Sequence, residues 1–283
     1  MSRREPGIWS RGLGAELRDL RDAAGLSTRL AGERVGLSAS TLSRIENGKR
    51  KVTSEEVSAL LVVFGVTGER RESLIELARQ PEQPTWVGAG SRTGLPKSLA
   101  TLISFETTAT RVTNVSMLVL PGLLQTPEYT RALMRATGVS DFEAESRVAT
   151  RLGRQALLSR PSPPDYVAYL DEGALRRRLG SSKVMVDQLE RILKESQRPN
   201  VTIRALPSTA DEVPGLDGSF LLLEFAKARP VVQLDYRRSC LFIDDAKDVE
   251  TFHEAVDTLD RVALTPEDSA TFIARIMADY ERE

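Results

Sequence analysis

The sequence predicts two folded parts, an all-α N-terminal domain of five helices and an α+β C-terminal domain with a mixed sheet. Apolar residues recur with a helical period through residues 1–80, whereas helical and strand-like runs follow one another through residues 97–283. Residues 81–96 lie between them and are rich in proline and glycine, which cannot continue a helix. This segment is therefore predicted to be a linker.

In the first part, apolar spacing and capping signals predict five consecutive helices. The first helix carries one apolar face, formed by Leu13, Leu17, Leu20 and Ala24. Glycine followed by an apolar residue, the pattern of a helix C-cap, occurs at 25–26, 36–37 and 65–66. Thr53 and Glu56 have the spacing of a capping box, which opens the fourth helix. The five helices are expected to pack as one bundle.

The second part combines strand-like runs with helices. The strand-like runs are residues 113–120 and the segments YVAYLD, NVTIRAL, GSFLLLEF, PVVQLDY and CLFID. A helix is predicted over 98–111, and others lie between the strands and at the end of the chain. Thr126-Pro127 and Thr265-Pro266 each place a cap and a first-turn proline at a helix start. This mixture predicts an α+β domain around one sheet.

Composition fits a cytoplasmic protein. The chain has 283 residues, of which 41% are hydrophobic and 28% are charged, so it can form real cores. The single cysteine, Cys240, excludes a disulfide within the chain and a cysteine-built zinc site. The first residues lack the apolar run of a signal peptide, and no segment approaches the ~20 apolar residues that span a bilayer. We therefore expect no membrane contact.

Charge is distributed unevenly along the chain. Residues 1–53 contain eleven cations and six acidic residues, a net charge of +5. The remainder contains 28 cations and 34 acidic residues, a net charge of −6. A basic head on an acidic body indicates a polyanionic partner for the head.

Residues 28–48 have the pattern of two helices joined by a glycine turn. Gly32 supplies a small residue where two steeply crossing helices touch, and Gly36 supplies the positive φ that the turn needs. The outward positions of the second helix are small or hydrogen-bonding: Ala39, Ser40, Ser43 and Arg44. Small residues at a helix N-terminus let backbone amides approach phosphates and base edges.

This pattern resembles a known class of DNA-binding proteins. The segments GLS at 36–38 and LSRIENGK at 42–49 are similar to the helix-turn-helix of lambda-repressor/Cro regulators, also called the xenobiotic-response-element (XRE) class. The resemblance covers about residues 13–66. The class usually has a Leu-Ala pair where this chain has Ala31-Gly32, so looser packing of the second helix is expected.

The resemblance implies double-stranded DNA as the partner. Thr28, at the start of the first motif helix, is expected near a phosphate. The residues expected at or beside the base edges are Ser38, Ala39, Ser40, Ser43 and Arg44, with Ser43 between the bases and the backbone. Lys49, Arg50 and Lys51 follow the second helix and are expected along the phosphates. The alternative is a solvated turn on a bundle that binds protein, but a cationic run directly after a small, polar helix face favours DNA.

The second part resembles a domain of unknown function that follows this helix-turn-helix in many actinobacterial regulators. The resemblance spans about residues 97–276 and is carried by VLPGLLQTPEYTRALM, RQALLSRPSPP, LDEGALRRRLG and PGLDGSFLLLEF. Such regulators are often encoded beside a small partner protein. The resemblance therefore implies that residues 97–283 sense a ligand or bind that partner.

Two polar residues of these segments are candidates for a ligand or partner site. Gln125 follows a tight exit from a strand, and Arg176 lies in a short helix that Asp171 can cap. The functional interpretation is an anion or ligand pocket lined by Gln125 and Arg176. The structural interpretation, which the local pattern favours, is that the arginines complement the C-terminal dipole of the helix.

Nothing in the sequence indicates catalysis. The single histidine, His253, excludes a His-rich metal site, and the G-x-S-x-G and P-loop patterns are absent. The glycines from Gly88 to Gly94 are spaced one residue too widely for G-x-G-x-x-G and lie in the predicted linker. We expect no enzymatic activity, no metal and no cofactor.

These observations predict a sequence-specific DNA-binding transcriptional regulator. A homodimer is expected, because this helix-turn-helix class usually reads two half-sites about one helical turn apart. Two alternatives stay open. One is an antitoxin-like protein-interaction module whose helix-turn-helix is secondary, and the other is an enzyme with a DNA-binding head.

Overall fold

The computed structural model of the protein describes residues 8–79, 85–89, 97–236 and 239–283, which contain twelve α-helices and seven strands. They divide into two compact units. One takes in the described residues within Met1–Ser104 and Tyr236–Ala246, and the other those within Phe105–Asp235 and Lys247–Glu283. The predicted fold class is confirmed, since five helices open the chain and a mixed sheet with helices follows.

The first unit begins with the five predicted helices. They are α1 (Ile8–Ala23), α2 (Thr28–Arg34), α3 (Ala39–Glu46), α4 (Ser54–Val63) and α5 (Gly68–Arg79). Helix α1 ends one residue before Ala24, which is exposed rather than part of the apolar face. Thr53 and Glu56 form the predicted capping box of α4. Apolar side chains from all five helices form one core, which lies within residues 13–78.

Two glycines shape the turn between α2 and α3. Gly36 has a φ of +73°, the left-handed conformation that the sequence predicts. A Cβ atom on Gly32 would lie 2.6 Å from the Leu37 carbonyl oxygen, so α2 can meet the start of α3 only because Gly32 has no side chain. Ala31 beside it is fully buried. The looser packing expected from Ala31-Gly32 is therefore not observed.

A strand lies inside the predicted linker. Strand β1 (Thr85–Ala89) pairs antiparallel with β7 (Ser239–Ile243), with Trp86 opposite Phe242. The rest of the predicted linker, residues 81–84 and 90–96, lies outside the described residues. The strand was missed because the proline and glycine around it dominate the local pattern, while its pairing partner is far along the chain.

The second unit is built around five strands in the order β6-β5-β2-β3-β4. These strands are β2 (Arg111–Ser116), β3 (Asp165–Asp171), β4 (Val201–Leu206), β5 (Phe220–Glu224) and β6 (Val231–Asp235). Strands β2, β3 and β4 run parallel, whereas β5 is antiparallel to both β2 and β6. The sheet is therefore mixed, as predicted.

Helices connect the parallel strands, which need such crossovers because one strand ends at the opposite end of the sheet from where the next strand begins. The remaining helices are α6 (Lys97–Thr108), α7 (Pro127–Ala136), α8 (Asp141–Gln155), α9 (Glu172–Arg176), α10 (Ser182–Glu195), α11 (Ala246–Val262) and α12 (Pro266–Glu281). Helices α7 and α8 join β2 to β3, and α9 and α10 join β3 to β4. Helix α12 packs against α10 and β4. In the described part of the chain, no helix has the length and apolar content to cross a membrane.

Candidate nucleic-acid interface

Helix α3 separates an inward apolar face from an outward polar face. Leu42 and Ile45 are fully buried in the bundle. The four residues predicted to point outward are all exposed: Ala39, Ser40, Ser43 and Arg44. Ala39 and Ser43 lie four residues apart, and so do Ser40 and Arg44, so the structure brings the four together on one solvent-facing side of the helix. We call these four residues the outer face of α3.

The start of α3 is held by the exposed hydroxyl of Ser38. Ser38 Oγ accepts a hydrogen bond from the Thr41 amide at 3.1 Å and lies 2.9 Å from the Ser40 hydroxyl. The first amides of a helix have no partner within it and carry a partial positive charge. An exposed helix start of this kind attracts phosphate groups.

The other end of α3 is fixed by Asn47. Its side-chain nitrogen donates to the Ser43 carbonyl oxygen at 2.7 Å and to Ser43 Oγ at 3.3 Å. Arg18 of α1 donates to the side-chain oxygen of Asn47. The Ser43 hydroxyl is thus partly used within the protein, and Arg44 supplies the positive charge of the outer face.

A buried ion pair joins α1 to the end of α3. Arg21 donates to the two carboxylate oxygens of Glu46 at 2.7 and 3.1 Å. It also donates to the Leu26 carbonyl oxygen at 2.7 Å. Hydrogen bonding to Glu46 raises the pKa of Arg21. Because Glu46 is the last residue of α3, this pair helps to hold the end of α3 against α1.

Two further glycines let α1 lie against α3. A Cβ atom on Gly14 would lie 2.2 Å from the Ile45 carbonyl oxygen, and one on Gly48 would lie 2.6 Å from the Arg11 Cα. Sequence reasoning identified neither glycine as a contact point. The close approach of two backbones leaves no local signal except the glycine itself.

The three cations that follow α3 differ in their ion pairing. Lys49 and Lys51 are exposed, and neither forms an ion pair with another described residue. Arg50 is different, because its two terminal nitrogens donate to the Glu56 carboxylate at 2.8 and 3.2 Å. Glu56 also accepts from the Thr53 amide at 3.0 Å. Arg50 therefore belongs to the start of α4, whereas the two lysines remain available for phosphates.

Thr28 is the first residue of α2 and is partly exposed. Ser27 caps this helix by accepting a hydrogen bond from the Leu30 amide at 3.2 Å. The cap therefore does not occupy the Thr28 hydroxyl, and the expected phosphate contact of Thr28 stays a prediction.

Gln125 and Arg176, the two candidates of the second unit, both have partners within the protein. Gln125 is 2% exposed, and its nitrogen donates to the Leu120 carbonyl oxygen at 2.7 Å. Arg176 donates to Glu172 at 2.6 Å and to Asp279 at 3.1 Å. Both side chains are therefore at least partly used by contacts within the protein. A pocket lined by the two stays a prediction.

Two models of known protein families match the chain. One is described as a domain of unknown function (DUF5753) and matches residues 99–275, more than half of the chain. The chain belongs to this family. The other model is described as a helix-turn-helix domain and matches residues 12–74. No curated protein matches the chain.

In this DUF5753 protein, the helix-turn-helix match contains the outer face of α3 and the lysines that follow it. The match indicates a DNA-binding regulator, as the sequence predicts. The family description assigns no chemistry to the larger domain.

Proposed function

We propose that the protein is a sequence-specific transcriptional regulator of the XRE class that reads the major groove of DNA with α3. The observation that carries the proposal is the outer face of α3, which is exposed and polar on a helix whose inner side is buried in the bundle. A major groove admits one α-helix, and the N-terminal residues of a recognition helix contact the base edges.

Arg44 is the residue best suited to read a base. Its guanidinium can donate two hydrogen bonds to one guanine, which is the commonest specific contact in the major groove. Ser40 lies four residues earlier and therefore on the same side of the helix. The net positive charge of residues 1–53 supports attraction to the phosphates around this contact.

We extend the proposal to the oligomeric state of the protein and to the role of its DUF5753 domain. The regulator acts in the cytoplasm as a homodimer, which matches the two half-sites of a palindromic operator. Its DUF5753 domain senses a ligand or binds a small partner protein encoded by a neighbouring gene, and it has no catalytic role. The resemblance to actinobacterial regulators of this arrangement supports these assignments.

The test is binding to the DNA around its own gene. A footprint locates the operator, and fluorescence anisotropy then compares the wild type with Arg44→Ala. We expect a loss of ~1–3 kcal/mol on the preferred site and relaxed base preference at one position. Arg79→Ala removes an exposed arginine from α5 and is the matched control, with unchanged affinity expected. If Arg44→Ala and Ser40→Glu both leave operator affinity unchanged, α3 does not read the DNA.

A further inference from the structure

Helix α8 carries three arginines on one face, and among the described residues only one of their positive charges is paired with a carboxylate in an ion pair. Arg147, Arg151 and Arg154 follow at spacings of four and three residues, so their side chains lie along one side of the helix. All three are only partly exposed. Arg154 is neutralised, because it donates to both carboxylate oxygens of Glu106 at 2.9 and 2.6 Å.

Arg147 and Arg151 form no ion pair with the residues that the structure describes. Arg151 donates to the side-chain oxygen of Gln125, a neutral acceptor that also accepts from the Thr130 hydroxyl at 3.0 Å. The Arg147 guanidinium lies 3.9 Å from the Met134 sulfur. Neither contact supplies a negative charge.

An uncompensated guanidinium inside a protein is unfavourable. Burial lowers the pKa of Arg151 to about 10. The charge of Arg154 acts in the same direction, the charge of Asp235 acts against it, and the charge of Arg147 lowers the pKa further. Buried charges are normally paired with an opposite charge. Glu106 is already used by Arg154, and Asp235 is shared between Arg154 and Arg151. The three arginines therefore exceed these two carboxylates by one positive charge, which a bound anion would neutralise.

We propose that Arg151 and Arg147 bind the anionic group of a small-molecule effector, a phosphate or a carboxylate, on this face of α8. The planar guanidinium fits both groups, since each accepts two parallel hydrogen bonds from it. Both arginines are recessed, which favours a small anion over the surface of an acidic protein. The inference deepens the ligand-sensing part of the proposed function and rests on it.

An anion at Arg151 would act on the turn that follows β2. Gln125 connects Arg151 to the Leu120 carbonyl oxygen, at the start of this turn. Gln155 of α8 donates to the Gln125 carbonyl oxygen at 2.6 Å, and Gln188 of α10 donates to the Leu124 carbonyl oxygen at 2.9 Å. Side-chain amides from α8 and α10 thus hold the turn. An anion that moves Arg151 would therefore act, through Gln125 and this turn, on both helices.

The experiment is thermal unfolding of the full chain without DNA. Potassium phosphate and potassium acetate are titrated separately against potassium chloride of equal ionic strength. We expect a saturable rise in Tm with at least one of the two anions, because a ligand that binds only the folded state stabilises it. A response to phosphate alone assigns a phosphate-bearing effector, and a response to acetate alone assigns a carboxylate.

Variants assign the response to the site. Arg151→Met should weaken the apparent affinity for the anion at least tenfold, with each rise in Tm measured from the starting Tm of the same variant. Arg147→Gln is the milder second variant and breaks only the described contact to Met134. Arg131→Gln is the control, because Arg131 is already compensated by Glu145 at 2.7 Å, and it should keep the full response.

Two results would overturn the anion site: a response no larger than that to chloride, or an equal response in the wild type and in both α8 variants. Because the titration contains no DNA, its failure would leave operator binding untouched. Loss of operator recognition in the Arg44→Ala experiment, in turn, would not alter the anion response.

Discussion

Arg21 and Glu46 form an ion pair with two hydrogen bonds in which the side chains are only 9% and 3% exposed. The pair connects the last turn of α1 with the last residue of α3, the helix that carries the proposed DNA-reading face. Removing two charges from water costs several kcal/mol per ion, and the attraction between them repays this cost only while both are present. The pair therefore contributes orientation of α3 more than net stability.

Breaking this pair from one side should be costly. Glu46→Gln leaves the Arg21 guanidinium with Asp22, 2.5 Å away and largely exposed, as its remaining carboxylate partner. We therefore expect the free energy of unfolding to fall by ~1–3 kcal/mol, the cost of a lost hydrogen-bonded charge partner. Replacing both residues by Met and Leu should cost much less than the sum of the single changes. Urea unfolding of the full chain, followed by circular dichroism, measures both effects in the transition of the helical domain.

A surface pair in the same domain provides the control. Arg29 and Glu33 lie 2.7 Å apart but are 73% and 55% exposed. Glu33→Gln should change the free energy of unfolding by less than about 0.5 kcal/mol. If Glu46→Gln proves as mild as Glu33→Gln, the Arg21–Glu46 pair is not desolvated in solution.

Two helical glycines should respond in opposite ways to alanine. In Gly14→Ala the new methyl group would lie 2.2 Å from the Ile45 carbonyl oxygen, so α1 and α3 must separate, at a cost of ~1–3 kcal/mol. In Gly153→Ala the methyl group meets nothing within 4 Å, and the lower backbone entropy of the unfolded chain should add ~0.5–1 kcal/mol of stability. Tm measurements of both variants test the difference, and a stabilised Gly14→Ala would contradict the close contact of the two helices.

The parts of the site that could be predicted are those that depend on local pattern. The spacing of Leu42 and Ile45 identifies the inner side of α3, and the residues on the opposite side of the helix then form the outer face. Ser38 as a cap and Gly36 in the turn follow from the chemistry of helix ends. These features need only a few consecutive residues, and the structure confirms them.

Features that join distant segments were not visible in the sequence. Glu46 pairs with Arg21 on another helix, and no local pattern distinguishes that carboxylate from a solvated one. Arg50 stands in a uniform run of cations, and only the fold shows that Glu56 binds it. The uncompensated charge of Arg151 likewise depends on which acidic residues the fold brings near it.

The five-helix domain should fold without the rest of the chain. Its core lies within residues 13–78, and each helix contributes to it. We expect a fragment of residues 1–80 to show a cooperative helical unfolding transition by circular dichroism. It should bind operator DNA with the base preference of the full chain but more weakly, because a monomer reaches one half-site. Capture of the neighbouring gene's small product by this fragment alone would contradict the assignment of partner binding to the DUF5753 domain.

The cationic run after α3 should contribute unequally to DNA binding. Each phosphate that a protein neutralises adds ~0.9 to the slope of log affinity against log salt. Lys49→Ala combined with Lys51→Ala should therefore flatten this slope by up to about 1.8. Arg50→Ala should change the slope far less, because Glu56 already neutralises Arg50. The two lysines carry no base contact, so operator and random duplex should weaken by similar factors.

Salt titrations of the wild type, the double lysine variant and Arg50→Ala on both duplexes distinguish the outcomes. An unchanged slope in the double variant would mean that the lysines form a solvated turn. A slope change in Arg50→Ala as large as that of one lysine would mean that Glu56 releases Arg50 when DNA binds. Lost discrimination at constant slope would instead identify one of the three cations as a base reader, because a base contact changes specificity without removing a phosphate contact.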